Sequence, residues 1–176
     1  GVGLDSSEQG HPPEKFKRVF QQAKQANLLT VAHAGEEGPA QNIIDAIDML
    51  SVSRIDHGVQ CITNEALVQD LITTKMPMTV CPLSNIKLCV FDTMEQHNIV
   101  QLLRKGVAVT INSDDPAYFG GYMTDNFIAV NNAHSLTKQE LAQFSLNAID
   151  ASFISEQLKH TYRESVANYL NLHTVL

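Results

Sequence analysis

An α/β fold of the (β/α)8 barrel type is what this chain predicts, and three observations carry it. Short apolar runs begin near residues 1, 28, 53, 77 and 107, and a spacing of about 25 to 30 residues is that of one βα unit. The runs do not alternate polar with apolar, as expected of parallel strands buried on both faces. Each run ends in polar residues, the position where a barrel carries its chemistry. An open doubly wound sheet also fits strand followed by helix, but it gathers its polar ends at one switch point. The barrel is preferred, and five strands make about half of one.

The first run, Gly1 to Ser6, ends in Asp5, Ser6, Ser7 and Glu8, followed by the loop Gly10-His11-Pro12-Pro13. Pro13 opens a helix where a missing N–H costs nothing, and Phe16, Val19, Phe20 and Ala23 give Glu14 to Gln25 an apolar face. The second run stops abruptly in His33-Ala34-Gly35-Glu36, delivering an imidazole and an acid to the strand end. Pro39 to Leu50 is helical through Ile43, Ile44, Ile47 and Leu50. Arg54-Ile55-Asp56-His57-Gly58 is a third strand end, and Glu65 to Thr74 a helix through Leu67, Val68, Leu71 and Ile72.

Met78 to Pro82 reads as a fourth strand closing on Leu83-Ser84-Asn85, taken as a turn or as support for neighbouring groups. A helix over Val100 to Lys105 is capped by Gly106. Val107 to Ile111 is the fifth strand and ends in Asn112-Ser113-Asp114-Asp115-Pro116. From Asn126 the pattern is all-helical: Phe127 to Asn132, Lys138 to Asn147 with a capping box from Thr137 to Glu140, and Ile154 to Leu170. No linker divides the chain.

A hydrophobic content of 44% over 176 residues supports a sizeable core. The net charge of −7, with 12 scattered basic residues, excludes a nucleic-acid surface. No segment is long enough to span a membrane and no signal peptide opens the chain, so a cytoplasmic enzyme is expected. Cys61, Cys81 and Cys89 form no C-x-x-C pair and read as reduced thiols. Gly1 lies inside a strand with no initiator Met, which reads as the interior of a longer protein.

The strand ends collect Asp5 with Glu8, His33 with Glu36, His57, Asn85, and Asp114 with Asp115. Neutral imidazoles and carboxylates on one open face suit a borderline divalent metal such as Zn²⁺. His33 and Asp114 are the best ligand candidates, with His57 a marginal third. A catalytic zinc needs at least three protein ligands and an open position, so further ligands are expected from strands outside this chain.

Four boxes, His-Ala-Gly-Glu at 33 to 36, Arg-Ile-Asp-His-Gly at 54 to 58, Cys-Pro-Leu-Ser-Asn at 81 to 85 and Ser-Asp-Asp-Pro at 113 to 116, together resemble the adenosine and adenine deaminases. Their order and spacing follow the family over essentially the whole chain. The resemblance implies a zinc-bearing (β/α)8 barrel of which residues 1–176 are the C-terminal half of a single domain, roughly strands 4 to 8 plus C-terminal helices. Asp5-Ser6-Ser7-Glu8 followed by Gly10-His11-Pro12-Pro13 is similar to the adenine-specific branch, implying hydrolysis of adenine to hypoxanthine and ammonia in purine salvage. Adenosine is the nearest alternative substrate.

The resemblance further implies His33 and Asp114 as zinc ligands and Glu36 as the acid that protonates the purine ring nitrogen. His57 would orient the attacking water and take up its proton, and Asp115 would hydrogen-bond the five-membered ring. Ser7 and Glu8 are expected near the substrate's edge. The family's first strand carries a His-x-His pair that nothing here matches, so the missing N-terminal half, from the same protein or a separate chain, is an expected partner beside the small-molecule purine. Two other readings stay open: an amide or ester hydrolase of the same superfamily, and a non-catalytic fragment that packs against a partner. His11, His97, His134, His160 and His173 are read as surface residues. The Pro-Cys-x-x-Cys box of cytidine deaminases is absent.

Overall fold

The computed structural model, described over residues 1–172, contains five parallel strands: β1 Val2–Leu4, β2 Thr30–Ala34, β3 Arg54–His57, β4 Met78–Val80 and β5 Val109–Ile111. They pair in chain order, β1-β2-β3-β4-β5. An open doubly wound sheet reverses direction at a switch point; a purely sequential parallel order is an arc of a barrel. The chain is thus α/β with a partial barrel. In register, Leu4 lies beside Ala32, Ala34 beside His57, and Val80 beside Ile111.

A 3-10 turn, Pro13–Phe16, leads into α1 Lys17–Gln25. Between β2 and β3 runs α2 Ala40–Asp45, which widens into a π turn over Ala46–Leu50 where the apolar spacing reads as one continuous helix. The remaining helices are α3 Glu65–Thr74, α4 Pro82–Lys87, α5 Ile99–Lys105, α6 Pro116–Phe119, α7 Met123–His134, α8 Lys138–Ala151 and α9 Glu156–Leu172. Thr137 and Glu140 form the expected capping box at α8: the Glu140 N–H donates to Thr137 Oγ1 at 3.1 Å, and the Thr137 N–H donates to Glu140 Oε2 at 2.9 Å. Gly106, at φ 97°, caps α5. Among the described residues no helix is long and apolar enough to cross a membrane.

Two short helices depart from the sequence reading. The strand expected over Met78 to Pro82 ends at Val80, and Leu83-Ser84-Asn85 is helical: α4 starts at Pro82, whose fixed φ suits a first helical position. Six residues with Ser84 and Asn85 turned inward give no apolar period, which hides the helix. Likewise Pro116 starts α6 on an Asp115 cap.

The core lies between the strands and the helices that follow them, filled by Phe20, Ile43, Ile55, Leu71, Met78 and Phe144. Burial in β2, β3 and β4 alternates, contrary to the non-alternating pattern expected. Ala32, Ala34 and Ile55 face the helices, whereas Val31, His33, Asp56 and Thr79 are half-buried on the opposite face.

His57 would follow Ile55 to the helix side by simple alternation. It adopts a left-handed backbone instead, φ 66°. This turns its ring against that of His33, with centroids 4.6 Å apart in an edge-to-face arrangement. Gly58 continues the turn at φ 73°, and a Cβ there would lie 2.6 Å from Met78 Cε. Gly58→Ala therefore meets both backbone strain and a clash in the core, with an expected cost of about 1 to 3 kcal/mol in urea unfolding. A neutral effect would show that this corner is not tightly built.

Candidate active site

Glu8 determines the shape of the loop after β2. Although only 8% exposed, its carboxylate accepts from the backbone N–H groups of Gly35 (2.7 Å), Glu36 (2.7 Å), Glu37 (3.0 Å) and Gly38 (3.1 Å). Asn42 Nδ2 donates a further bond at 3.0 Å. Burial pushes the Glu8 carboxyl up, but the Asn42 amide and the Gly38, Gly35 and Glu36 amides together outweigh it, and the group is held below its ordinary value. Gly35 is left-handed at φ 70° with Ile43 packed where a Cβ would stand. Glu8 was expected at the substrate's edge; its oxygens are instead committed to the loop that carries Glu36.

Glu36 projects from that loop into a buried position, 6% exposed. Asn85 Nδ2, on α4, donates to its Oε1 at 2.6 Å, and His57 Nδ1 stands 3.1 Å from the same oxygen. Desolvation, reinforced by the nearby Asp114 charge and only partly opposed by Asn85, pushes the Glu36 carboxyl up to about 7. Burial and then the neighbouring His33 push the His57 imidazole down to about 4. The Glu36 carboxyl therefore titrates near neutrality beside an uncharged imidazole. Their close contact lacks hydrogen-bond alignment, so the buried His57 Nδ1 is left without a hydrogen-bond partner.

Asp114 follows β5 with a left-handed backbone, φ 55°. Ser84 Oγ donates to its Oδ2 at 2.7 Å, and the Asp115 N–H donates to Oδ1 at 3.0 Å. Asp115 uses Oδ1 to cap α6, accepting from Ala117 (3.0 Å) and Tyr118 (3.2 Å). The adjacent aspartates, both exposed, thus have separate tasks: Asp114 faces the His57 side, and Asp115 caps a helix start.

Two groups of side chains among the described residues bring metal-binding atoms within 4.8 Å of one another: His33, Glu36 and His57, and His57, Cys81 and Asp114. The two groups share the His57 imidazole, and their nitrogen, oxygen and sulfur donors fit a borderline divalent metal. A cavity of about 350 Å³ opens beside it, lined by Asp5, Ser6, Ser7, His11 and His33. A larger cavity, about 810 Å³ among α7, α8 and α9, is lined by Met123, Phe127, Leu141 and Val166 and carries none of the strand-end groups.

The structure thus brings His33, Glu36, His57 and Asp114 together and sets Asp115 at the rim. Sequence reasoning missed Glu8's anchoring role and misplaced His97, which is 2% exposed and bonded to Asn85 rather than on the surface. No periodic signal separates His97 from the exposed His160. His11 is exposed and His134 half-buried, while His173 lies outside the described residues. Cys61 and Cys81 are buried free thiols, and Cys89 is an exposed one.

The sequence profile of the adenosine deaminase family matches residues 1–169. An adenine deaminase of Vibrio parahaemolyticus is 76% identical over 174 residues, covering 99% of this chain and 52% of the relative. One from Hahella chejuensis is 60% identical, covering 98% and 52%. Among solved structures, an adenine deaminase from Arthrobacter aurescens superposes with a TM-score of 0.95 at 44% identity, covering 97% of this chain and 52% of that one. An amidohydrolase from Burkholderia ambifaria, determined with bound Zn, gives 0.90 at 28% identity, covering 98% and 48%. The chain spans about half the length of the curated relatives it matches.

The Glu8 anchor has a measurable consequence. Replacing one carboxylate oxygen by an amide in Glu8→Gln sets a donor against backbone donors, and an expected cost of about 1 to 3 kcal/mol follows in urea unfolding. Because the native carboxyl is held below its ordinary value, its contribution is present above the unfolded-state pKa and is lost as pH falls through the lowered native one. The gap between the two proteins should therefore narrow on acidification. A gap that is absent at neutral pH, or that widens in acid, contradicts the anchor.

Proposed function

Because this chain belongs to the adenosine deaminase family, we propose that it forms the C-terminal half of a cytoplasmic, zinc-dependent adenine deaminase of purine salvage, hydrolysing adenine to hypoxanthine and ammonia. The observation that carries the reading is a buried carboxyl, Glu36, 6% exposed and 3.1 Å from the His57 imidazole, where desolvation pushes it up to about 7. Relatives named adenine deaminase at 76% and 60% identity favour the free base as substrate.

His33 and Asp114 would hold the zinc, with the remaining ligands drawn from strands outside this chain. The bound metal supplies a Lewis acid that makes water nucleophilic near neutral pH. As oxygen adds to the amine-bearing carbon, negative charge develops on the adjacent ring nitrogen, and the Glu36 carboxyl discharges it by giving up its proton. His57, neutral and carrying a free lone pair, accepts the proton lost by water and returns it to the departing amine, while the proton left on the added hydroxyl passes to the Glu36 carboxylate and restores its acid form. The products are hypoxanthine and ammonia. Asp115 Oδ2, with no partner among the described residues, is available to accept from the five-membered ring's N–H, a donor that a free purine base offers.

The sheet supports a completing partner, since β1 and β5 each have only one paired edge. The missing strands come either from the same polypeptide or from a separate chain. The test is co-expression of this chain with the part of the Vibrio parahaemolyticus deaminase that it does not match. The assembly is expected to hold about one zinc per barrel and to release ammonia from adenine. Chelation should abolish turnover and zinc should restore it. Glu36→Gln is expected to retain zinc and lower kcat by about 10²- to 10⁴-fold. In the parent, kcat/KM should fall as pH rises through the Glu36 pKa, near 7, because only the neutral carboxyl donates. Preference for adenosine would overturn the substrate assignment, and a zinc-loaded assembly inert to both purines would overturn the aminohydrolase reading.

A further inference from the structure

His97 lies between the 3-10 turn Met94–Gln96 and α5, and its ring packs on Phe91 with centroids 4.4 Å apart. It lines no part of the strand-end cavity, yet a continuous series of hydrogen bonds joins it to the proposed acid. The Ile99 N–H donates to His97 Nδ1 at 3.1 Å. His97 Nε2 lies 3.0 Å from Asn85 Oδ1, and Asn85 Nδ2 donates to Glu36 Oε1 at 2.6 Å. His97 is 2% exposed and Asn85 is fully buried.

The direction of every bond follows from the first. A backbone N–H can only donate, so His97 Nδ1 must present its lone pair. Burial pushes the His97 imidazole down to about 3, so the ring is neutral and its single proton sits on Nε2. The Asn85 atom facing that proton must then be the carbonyl oxygen, which turns the NH₂ group towards Glu36. Oε1 of Glu36 accepts, and the carboxyl proton is left to Oε2.

We propose that His97 is a positioning residue for Glu36: through the Asn85 amide it keeps Oε1 an acceptor and so fixes Oε2 as the oxygen from which the proton is delivered. This rests on the reading of Glu36 as the proton donor of a purine aminohydrolase. The alternative is that His97 merely satisfies buried polar groups, in which case its loss costs stability but not the orientation of Asn85.

The experiment uses the zinc-loaded assembly with His97→Phe, Asn85→Ala and the double variant, and His97→Gln as the conservative replacement that keeps a donor near Nε2. His97→Phe is expected to lower kcat by about tenfold or more with KM changed less than about twofold. The double variant should be no slower than Asn85→Ala alone, because both substitutions break one series. His97→Gln should recover most of the loss. Multiplying losses, or a KM effect with unchanged kcat, would overturn the proposal.

Two spectroscopic readouts do not depend on turnover. The ¹⁵N spectrum of the parent should show His97 protonated on Nε2 alone, and the Asn85 NH₂ signals should shift in His97→Phe. A proton on Nδ1, or unmoved Asn85 signals, would refute the arrangement whatever the substrate proves to be. Failure on adenine with both signatures present would instead refute the functional reading.

Discussion

A buried carboxylate would ordinarily be a liability, because desolvating its charge is costly unless donors replace the lost water. Glu8 resolves this by gathering four consecutive backbone amides and one side-chain amide of the stretch from Gly35 to Asn42. Those amides could not converge on one carboxylate unless the loop were folded tightly, so the ion and the loop conformation require each other. The fixed loop in turn leaves Glu36 no choice but to enter the buried space between Asn85 and His57. Glu8 is held ionised by N–H donors, whereas Glu36, one residue along the loop it anchors, is driven towards neutrality by desolvation. Two carboxylates with opposite environments separate a loop-anchoring role from the proton-donating one proposed for Glu36.

The other strand ends are aligned by departures from regular backbone. His57 and Asp114 both take left-handed conformations that non-glycine residues adopt at some cost. In His57 the turn moves the ring off the helix-facing side and onto His33, which regular alternation would not allow. Ser84 then holds Asp114 from the start of α4. The βα units thus supply position, and the irregular residues at their ends supply direction.

Much of this was legible in the sequence. Apolar runs at βα spacing gave the strands, and His33-Ala34-Gly35-Glu36 and Asp114-Asp115 marked the strand ends where polar groups gather, because imidazoles and carboxylates there have no packing purpose. Thr137 with Glu140 marked the start of α8, since capping is a local interaction between residues three apart. What stayed hidden depends on contacts distant in sequence. Glu8 is separated from its loop by a whole helix, so it resembles any other strand-end acid. His97 and Asn85 acquire meaning only when α4 and the turn before α5 pack together. Helix α4 escaped because six residues with inward polar side chains lack a period. The backbone turn at His57 has no residue-type signature beyond the glycine after it.

The proton donation proposed for Glu36 requires that its carboxyl hold a proton at a pH where ordinary carboxyls are ionised. Carbon-13 NMR titration of the side-chain carboxyl, assigned by comparison with Glu36→Gln in the assembled protein, measures this directly. The structure predicts a midpoint near 7. A midpoint in the ordinary glutamate range, about 4.3, would mean that the carboxyl is ionised at neutral pH, and a proton donor would have to be sought elsewhere in the site.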